Sequence, residues 1–396
     1  MTEQIKVLFL PRWYPHRFDP MTGLFIQRQA EAVSAFCEVA VLYAHPVAGA
    51  SNKFEIDISR GKNIHVIRVY YKVPEKKIPG ITQILKHYMF FRAYILGFRM
   101  LRKFRPDLLH IHILTRHGIL GWGYKLLTKT PYLISEHWSR YFRENGSYKG
   151  FFRKFLTRRV IKNSSVVIAV SGQLKKAMQS HGLHNDRYYI VPNVVDFEYF
   201  KPCEESTTAM NKQIIHVSCF EDKSKNISGF LKILKQLSVK RRDFECRFIG
   251  KGPDLEKMQS IAEDLGIKDV IAFFPGLKEG NELVQFMSKA DFLVLSSHYE
   301  TFGTVVVESL ACGVPVVATN VGIVPEIVND SNGMIVSDDD PEEMVRAVDE
   351  MLYRCRSYDK MMIRAQTFRR FNSATVGKQI VEIYQRILKE AGNKTK

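Results

Sequence analysis

Ser297–Glu326 reads SHYETFGTVVVESLACGVPVVATNVGIVPE, and the fold turns on it. The apolar run before it, Phe292-Leu293-Val294-Leu295-Ser296, reads as a buried strand. Next come Glu300-Thr301-Phe302-Gly303-Thr304, a helix-like segment from Val305 to Cys312, and the stop Gly313-Val314-Pro315. Val316 to Thr319 is a second short strand. Strand, glycine turn, helix, turn, strand is one βαβ unit. Its first turn lies at the carboxyl end of a strand, where open α/β sheets bind ligands. A helix starting near Gly303 offers free N–H groups and a positive dipole end, which suit a phosphate. Glu300 and Glu308 bracket the turn. They lie a little over two helical turns apart, so Glu308 falls on the face that starts beside Glu300. Carboxylates accept hydrogen bonds from neighbouring hydroxyls, so the pair suits a ribose or a sugar ring. Alone, the two are also what a helix-start acid and a solvated mid-helix residue look like.

A chain of 396 residues with 45% hydrophobic and 25% charged residues can bury a large core, and two domains are expected. The six cysteines (37, 203, 219, 246, 312, 355) lie far apart with no CxxC pair, which reads as reduced thiols in a cytosolic protein. Val7-Leu8-Phe9-Leu10 is too short for a signal peptide's apolar region, and no apolar run reaches the ~20 residues that span a bilayer. The net charge of +17 is lopsided. Residues 1–200 hold 31 Lys and Arg against 13 Asp and Glu, whereas 201–396 hold 27 against 28. Nucleic acid, an anionic membrane or an acidic acceptor could match such a half. No nucleic-acid motif accompanies the charge, so nucleic acid is set aside and the membrane surface is favoured.

From the amino end, Ile5 to Leu10 reads as a buried strand and Phe25 to Phe36 as a helix. Gly23, just before that helix, would let the backbone approach a ligand, or is an ordinary loop glycine. Strands are expected at Glu38–Tyr43 and Ile64–Tyr70, with the rest of 44–80 hard to read apart from a basic loop, Lys72 to Lys77. Ile81 to Phe104 reads as a long aromatic helix, either packed in the core or presenting an apolar face to lipid. His110 and His112 share one face of the strand Pro106–His112, as a packed or hydrogen-bonded pair or, with less support, as metal ligands. The strand Pro131–Ser135 ends in Glu136-His137-Trp138, which puts His137 toward a ligand cleft. Trp138 to Lys162 interleaves aromatics with Arg140, Arg143, Lys149, Arg153, Lys154, Arg158 and Arg159, which suits a membrane interface or a solvated helix face. In the second half, Lys225 precedes a helix from Ile227. A cation there has no dipole reason to be present, which favours a ligand role over a solvated loop lysine. Asp338-Asp339-Asp340 before Pro341 reads as an N-cap cluster rather than a metal motif.

The opening stretch resembles the donor site of family 4 glycosyltransferases, retaining enzymes of the GT-B fold. The resemblance rests on Glu300, Phe302-Gly303, Glu308 and Ala311-Cys312-Gly313-Val314-Pro315-Val316-Val317-Ala318-Thr319. It extends to Gly322 and Glu326, though Ile323 stands where a second glycine is usual. Pro192-Asn193-Val194-Val195-Asp196 is similar to the family's interdomain crossing, with Val194 in place of glycine. The resemblance implies two Rossmann-like, doubly wound domains facing across a cleft. Residues 1–198 would form the acceptor domain and 199–372 the nucleotide-sugar domain, with a last helix in 373–396 packing back on the first. It implies that Glu308 holds ribose hydroxyls and that Glu300 and His137 contact the transferred sugar. Lys225 and the Phe302–Thr304 amides, Thr301 flanking them, would meet the diphosphate, with Gly23 between phosphate and acceptor. Gly276 and Leu277 would lie at the nucleobase. The family's diphosphate arginine falls at or near Cys219, where Lys223 would substitute as a point charge. No metal is expected, because Lys225 and the helix dipole would balance the leaving charge. The expected activity is retaining transfer of a hexose from a UDP- or GDP-sugar to a glycan or lipid-linked acceptor in envelope polysaccharide or glycolipid assembly. The setting would be the cytoplasm or the inner face of the membrane. A GT-B epimerase or phosphorylase, or a non-catalytic nucleotide-sugar-binding protein, would use the same cleft.

Overall fold

The computed structural model describes residues 4–75, 81–203 and 210–393. Lys76 and Lys77 of the expected basic loop lie outside them.

Two sheets are formed from strands that follow one another in sequence. The first contains β1 (Lys6–Pro11), β2 (Glu38–Ala48), β3 (Phe54–Arg60), β4 (Ile64–Val73), β5 (Leu108–His112), β6 (Tyr132–Glu136), β7 (Val166–Ala169) and β8 (Tyr188–Ile190), in the order β3-β4-β2-β1-β5-β6-β7-β8. The second contains β9 (Lys212–Val217), β10 (Phe244–Ile249), β11 (Ala272–Gly276), β12 (Phe292–Leu295), β13 (Val316–Thr319) and β14 (Gly333–Val336), in the order β11-β10-β9-β12-β13-β14. Pairing is parallel throughout except for β3 against β4. Central strands are buried on both faces, as β1, β5, β12 and β13 show, because helices cover both sides.

In each sheet the chain first builds outward to one side and then returns to the other side of its first strand. The reversal lies between β1 and β5 in the first sheet and between β9 and β12 in the second. Loops leaving neighbouring strands diverge there and open a crevice at their carboxyl ends. The molecule therefore has two such crevices, one per sheet.

The last helix, Ser373–Asn393, returns to the first sheet. Val376, Ile380, Tyr384 and Ile387 recur at helical spacing and are buried with the helix Leu24–Ser34 and β1. Burial of each such side chain stabilises the fold by about 1.5–3 kcal/mol. Close approach of the two helices requires Gly377, where a Cβ would lie 2.5 Å from the Ala32 carbonyl oxygen. Asp340 caps the helix Pro341–Arg354 by accepting from the Glu343 N–H, the role expected for the acidic cluster.

Three local expectations need correction. Strand β2 runs on to Ala48, through Pro46. Beyond Val41 it pairs only with β4, so the missing proline N–H costs no ladder bond on the free side. Strand β3 escaped the reading because it is a half-exposed edge strand with charges along it. The long helix stops at Met100 and is two-faced. Met89, Phe90, Ala93 and Tyr94 pack under it, while Ile84, Leu85, Tyr88 and Ile95 are exposed. In the helix Phe151–Asn163, Phe151 and Phe152 are 78% and 84% exposed beside Arg153 and Lys154. Among the described residues, no helix is long and apolar enough to cross a membrane.

Candidate functional site

Strand β12 delivers the loop Ser296–Gly303 to the crevice of the second sheet. Thr319 donates to the Ser297 carbonyl (2.6 Å), and Ser297 donates to the Glu300 carboxylate (2.9 Å). Gly303 then caps the helix Thr304–Ala311 with φ +88°, a backbone conformation only glycine adopts without strain. Gly322 serves the same loop differently. A Cβ there would lie 2.5 Å from the Phe302 carbonyl oxygen, so glycine lets the following turn lie flat on the loop.

Lys225 reaches this loop from β9. It ends the one-turn helix Asp222–Lys225, and Asn226, at φ +50°, starts the helix Ile227–Lys240. The dipole argument from sequence therefore weakens, since Lys225 closes one helical turn as well as preceding the next helix. Its ammonium lies 2.5 Å from the Glu300 carboxylate, and the two side chains are only 15% and 13% exposed. Burial works against the charged lysine, but Glu300 outweighs it and the ammonium's pKa is raised.

The first domain closes the cavity from across the cleft. Phe25, His137 and Asn193 face Val217, Lys225 and Glu300 to Val305 around a space of about 260 Å³. His137 is clamped by its neighbour: the buried Glu136 carboxylate accepts from the Leu114, His137 and Trp138 N–H groups and from the Tyr141 hydroxyl. Burial drives the His137 pKa down to about 3, so the ring is neutral near pH 7. Its Nε2 lies 3.3 Å from His112 Nδ1, and the Asn193 side chain beside the ring only partly opposes the fall in pKa. His110, by contrast, is held between Ser135 (2.7 Å) and Tyr384 (2.6 Å), as a packed, hydrogen-bonded residue.

The domains also touch at Thr301 of the cavity wall and beyond the cavity lining. Ser171 donates to the Thr301 carbonyl (2.6 Å), the Gly172 N–H to Glu326 (2.7 Å), and the Gly322 N–H to Gln173 (3.0 Å). Arg28, on the helix Leu24–Ser34, lies 3.8 Å from Glu308. Burial raises the Glu308 pKa to about 7, with Arg28 opposing.

The cavity thus gathers His137, Lys225, Glu300, Thr301, Phe302, Gly303 and Thr304 from the residues expected on sequence grounds. Others lie elsewhere. Glu308 is buried against Arg28, and Gly23 is packed on the Trp13–Tyr14 backbone, where a Cβ would lie 2.4 Å from the Trp13 carbonyl oxygen. Lys223 is exposed, and Gly276 and Leu277 end β11 and follow it, outside the cavity lining. Sequence reading missed Phe25, Arg28 and, as a site residue, Asn193. Asn193 stood inside the quoted interdomain crossing but was read only as a boundary. Arg28 has no local signal, because its partner lies in the other domain.

Chemically, a buried ammonium paired with a carboxylate sits at the amino end of a helix, opposite a neutral histidine. Such a site holds a dianionic group at the helix end and hydroxyls at the carboxylate.

Residues 28–199 match the family model described as Glycosyltransferase Family 4, and residues 204–367 the one described as Glycosyl transferases group 1. An uncharacterized glycosyltransferase of Methanocaldococcus jannaschii is 28% identical over 287 residues, 72% of this chain and 75% of that protein. Sucrose-phosphate synthase from Thermosynechococcus elongatus shares the fold at a TM-score of 0.79 and 16% identity, over 98% of this chain and 100% of its own. The Anabaena protein HepE, solved in complex with UDP and glucose, does so at 0.69 and 16%, over 96% and 100%.

Proposed function

The chain belongs to family 4 of the glycosyltransferases, and from that premise we propose that it moves a hexose from a nucleoside diphosphate sugar, UDP- or GDP-linked, to a glycan or lipid-linked acceptor with retention of configuration. One observation carries the reading. The crevice of the second sheet brings Lys225, Glu300 and the amino end of the helix Thr304–Ala311 together, facing His137 and Asn193 of the other domain. The solved complex of HepE with UDP and glucose, on the same fold, supports it.

In this account the diphosphate lies at the amino end of Thr304–Ala311, where Phe302–Thr304 amides and Lys225 meet it. Charge grows on the β-phosphate as the sugar leaves, and donors fixed in advance in a half-buried site stabilise it most at that moment. Glu300, released by Lys225, accepts from sugar hydroxyls, and neutral His137 offers a further hydrogen bond. Glu308 takes the ribose hydroxyls. The bond from the anomeric carbon to the phosphate oxygen breaks and one to the acceptor oxygen forms on the same face. The acceptor's proton passes to the leaving phosphate, so no protein base is assigned. Lys225 and the helix end supply positive charge where a divalent ion would otherwise stand, and the reaction is proposed to run without one.

Membrane contact belongs to the same proposal. Phe151, Phe152 and Phe155 stand exposed with Arg153, Lys154, Arg158 and Arg159 on one short helix. That combination suits an anionic lipid surface at the cytoplasmic face, as in envelope polysaccharide or glycolipid assembly. Incubation with UDP- and GDP-sugars and lipid-linked glycan acceptors in EDTA tests the reading, with the product's anomer read by NMR. Transfer with retention is expected. Inversion, conversion of the free sugar alone, or activity only on adding a divalent ion would each contradict it.

A further inference from the structure

The crevice of the first sheet holds a second cavity, of about 520 Å³, lined by the loop after β1, the ends of β2 and β4, the helix Ile81–Met100 and the start of the helix Arg116–Thr128. Its walls combine aromatic rings, among them Trp13 and Phe90, with two arginines, Arg12 and Arg116. Aromatic faces, not carboxylates, hold the cations. The Arg12 guanidinium lies 4.2 Å from the centre of the Trp138 ring, Arg140 lies 3.6 Å from the same ring, and Arg116 lies 4.3 Å from Phe90. No salt bridge among the described residues includes Arg12, Arg116 or Arg140.

Nearby carboxylates are already used. Glu136 accepts four hydrogen bonds, as described above. Asp19, on the cavity wall, accepts from the Thr22 hydroxyl and from the Met21 and Thr22 N–H groups. Meanwhile donors are left over. Arg12 Nε is buried without a hydrogen-bond partner. His117, 4% exposed and on the cavity wall, bonds Thr115 through Nδ1 (3.1 Å) and leaves Nε2 unpartnered. Arg116 opens the helix Arg116–Thr128, where the dipole disfavours a cation and favours an anion. Burial first, and then the neighbouring Arg140 and Arg116, lower the Arg12 pKa, with the hydrogen-bonded Glu136 only partly opposing them. A group of unpaired cations around a cavity this size is costly to keep for the fold's sake alone.

We propose that this cavity binds an acceptor carrying a negatively charged substituent, a phosphate or a carboxylate, recognised by Arg12 and Arg116 with His117 beside them. The inference rests on the reading that the first domain takes the acceptor, and it names the acceptor's chemical class. The forked guanidinium groups match the oxygens of either anion, and the aromatic walls suit the apolar faces of a sugar ring. An acceptor bound here would stand across the cleft from the donor, because the Trp13 ring packs on Trp138, which directly follows His137 of the donor cavity (ring centres 5.5 Å apart).

Calorimetric titration of glucose, glucose 6-phosphate and glucuronate tests it, with and without the nucleoside diphosphate that the protein binds. The wild type should bind at least one charged sugar roughly tenfold or more tighter than glucose. Arg12→Gln and Arg116→Gln should each erase that preference with nucleotide affinity unchanged, which also certifies that the variants fold. A preference for glucose 6-phosphate names a phosphorylated acceptor, and one for glucuronate a uronate. No charged sugar binding better than glucose, or a preference that survives both substitutions, overturns the proposal. A wild type that binds charged sugars but no nucleotide would defeat the donor reading instead.

Discussion

The two crevices occupy equivalent places on two similar sheets but handle charge in opposite ways. In the second, the cation and the carboxylate are paired, Lys225 on Glu300, and the half-chain that carries them is close to neutral. In the first, Arg12 and Arg116 stand on aromatic rings with no salt bridge, within the half-chain that holds all of the excess positive charge. A paired site is stable when empty and must break an internal contact to bind. An unpaired site is strained when empty and gains its counter-charge from the ligand. The difference predicts that removing one charge harms the fold on one side and spares it on the other.

The largest effect is expected at Lys225. Lys225→Ala leaves the mostly buried Glu300 without its partner, and breaking such a pair costs about 3–5 kcal/mol. Transfer should fall about 10²–10³-fold with loss of a fixed donor to the leaving charge. Denaturant melts and initial rates measure both. A Lys225→Ala/Glu300→Gln double variant that is more stable than Lys225→Ala would confirm that the lone carboxylate is the source of the loss.

A smaller, pH-dependent effect is expected at Glu308. Its folded pKa, about 7, lies above the usual carboxylate value, so the folded state holds this proton more tightly than the unfolded chain. Its stabilising contribution is full at low pH and is lost as pH rises toward and through 7, up to about 3 kcal/mol in all. Glu308→Gln should therefore melt much as the wild type does at pH 5 and gain on it at pH 8. A gap that does not change with pH would mean that Arg28 keeps Glu308 charged throughout.

The smallest effect is expected at Arg12. Arg12→Gln loses a stacked cation but also a repulsion, so stability should change by less than about 1 kcal/mol. A drop comparable to that of Lys225→Ala would erase the contrast between the two crevices.

The second crevice was legible in the sequence because its parts lie close together along the chain. Glu300, Phe302, Gly303 and the helix after them fall in one short run, while Lys225 comes from earlier in the same half and His137 from the other. The parallel strands were legible too, since burial on both faces leaves uninterrupted apolar runs. Strand β3 was not, because an exposed edge alternates and carries charge, nor was the passage of β2 through Pro46. The first crevice was invisible for a different reason. Arg12, Arg116 and Arg140 each follow a different strand, and single arginines look alike until topology gathers them. The lopsided charge suits an anionic partner, but charge balance alone does not say where one would bind. Glu308 was read from its helix spacing to Glu300, but a helix face says nothing about which domain will lie against it, and Arg28 does.

The central claim is that the Lys225–Glu300 crevice is a donor site for a nucleoside diphosphate sugar. Isothermal titration of UDP, GDP, ADP and CMP in EDTA tests it most directly, on the wild type, Lys225→Ala and Arg12→Gln. One diphosphate should bind the wild type and Arg12→Gln alike, with affinity at least about tenfold weaker in Lys225→Ala, as loss of a charge-assisted contact requires. Equal binding by Lys225→Ala, or no binding of any nucleotide to the folded wild type, would contradict it.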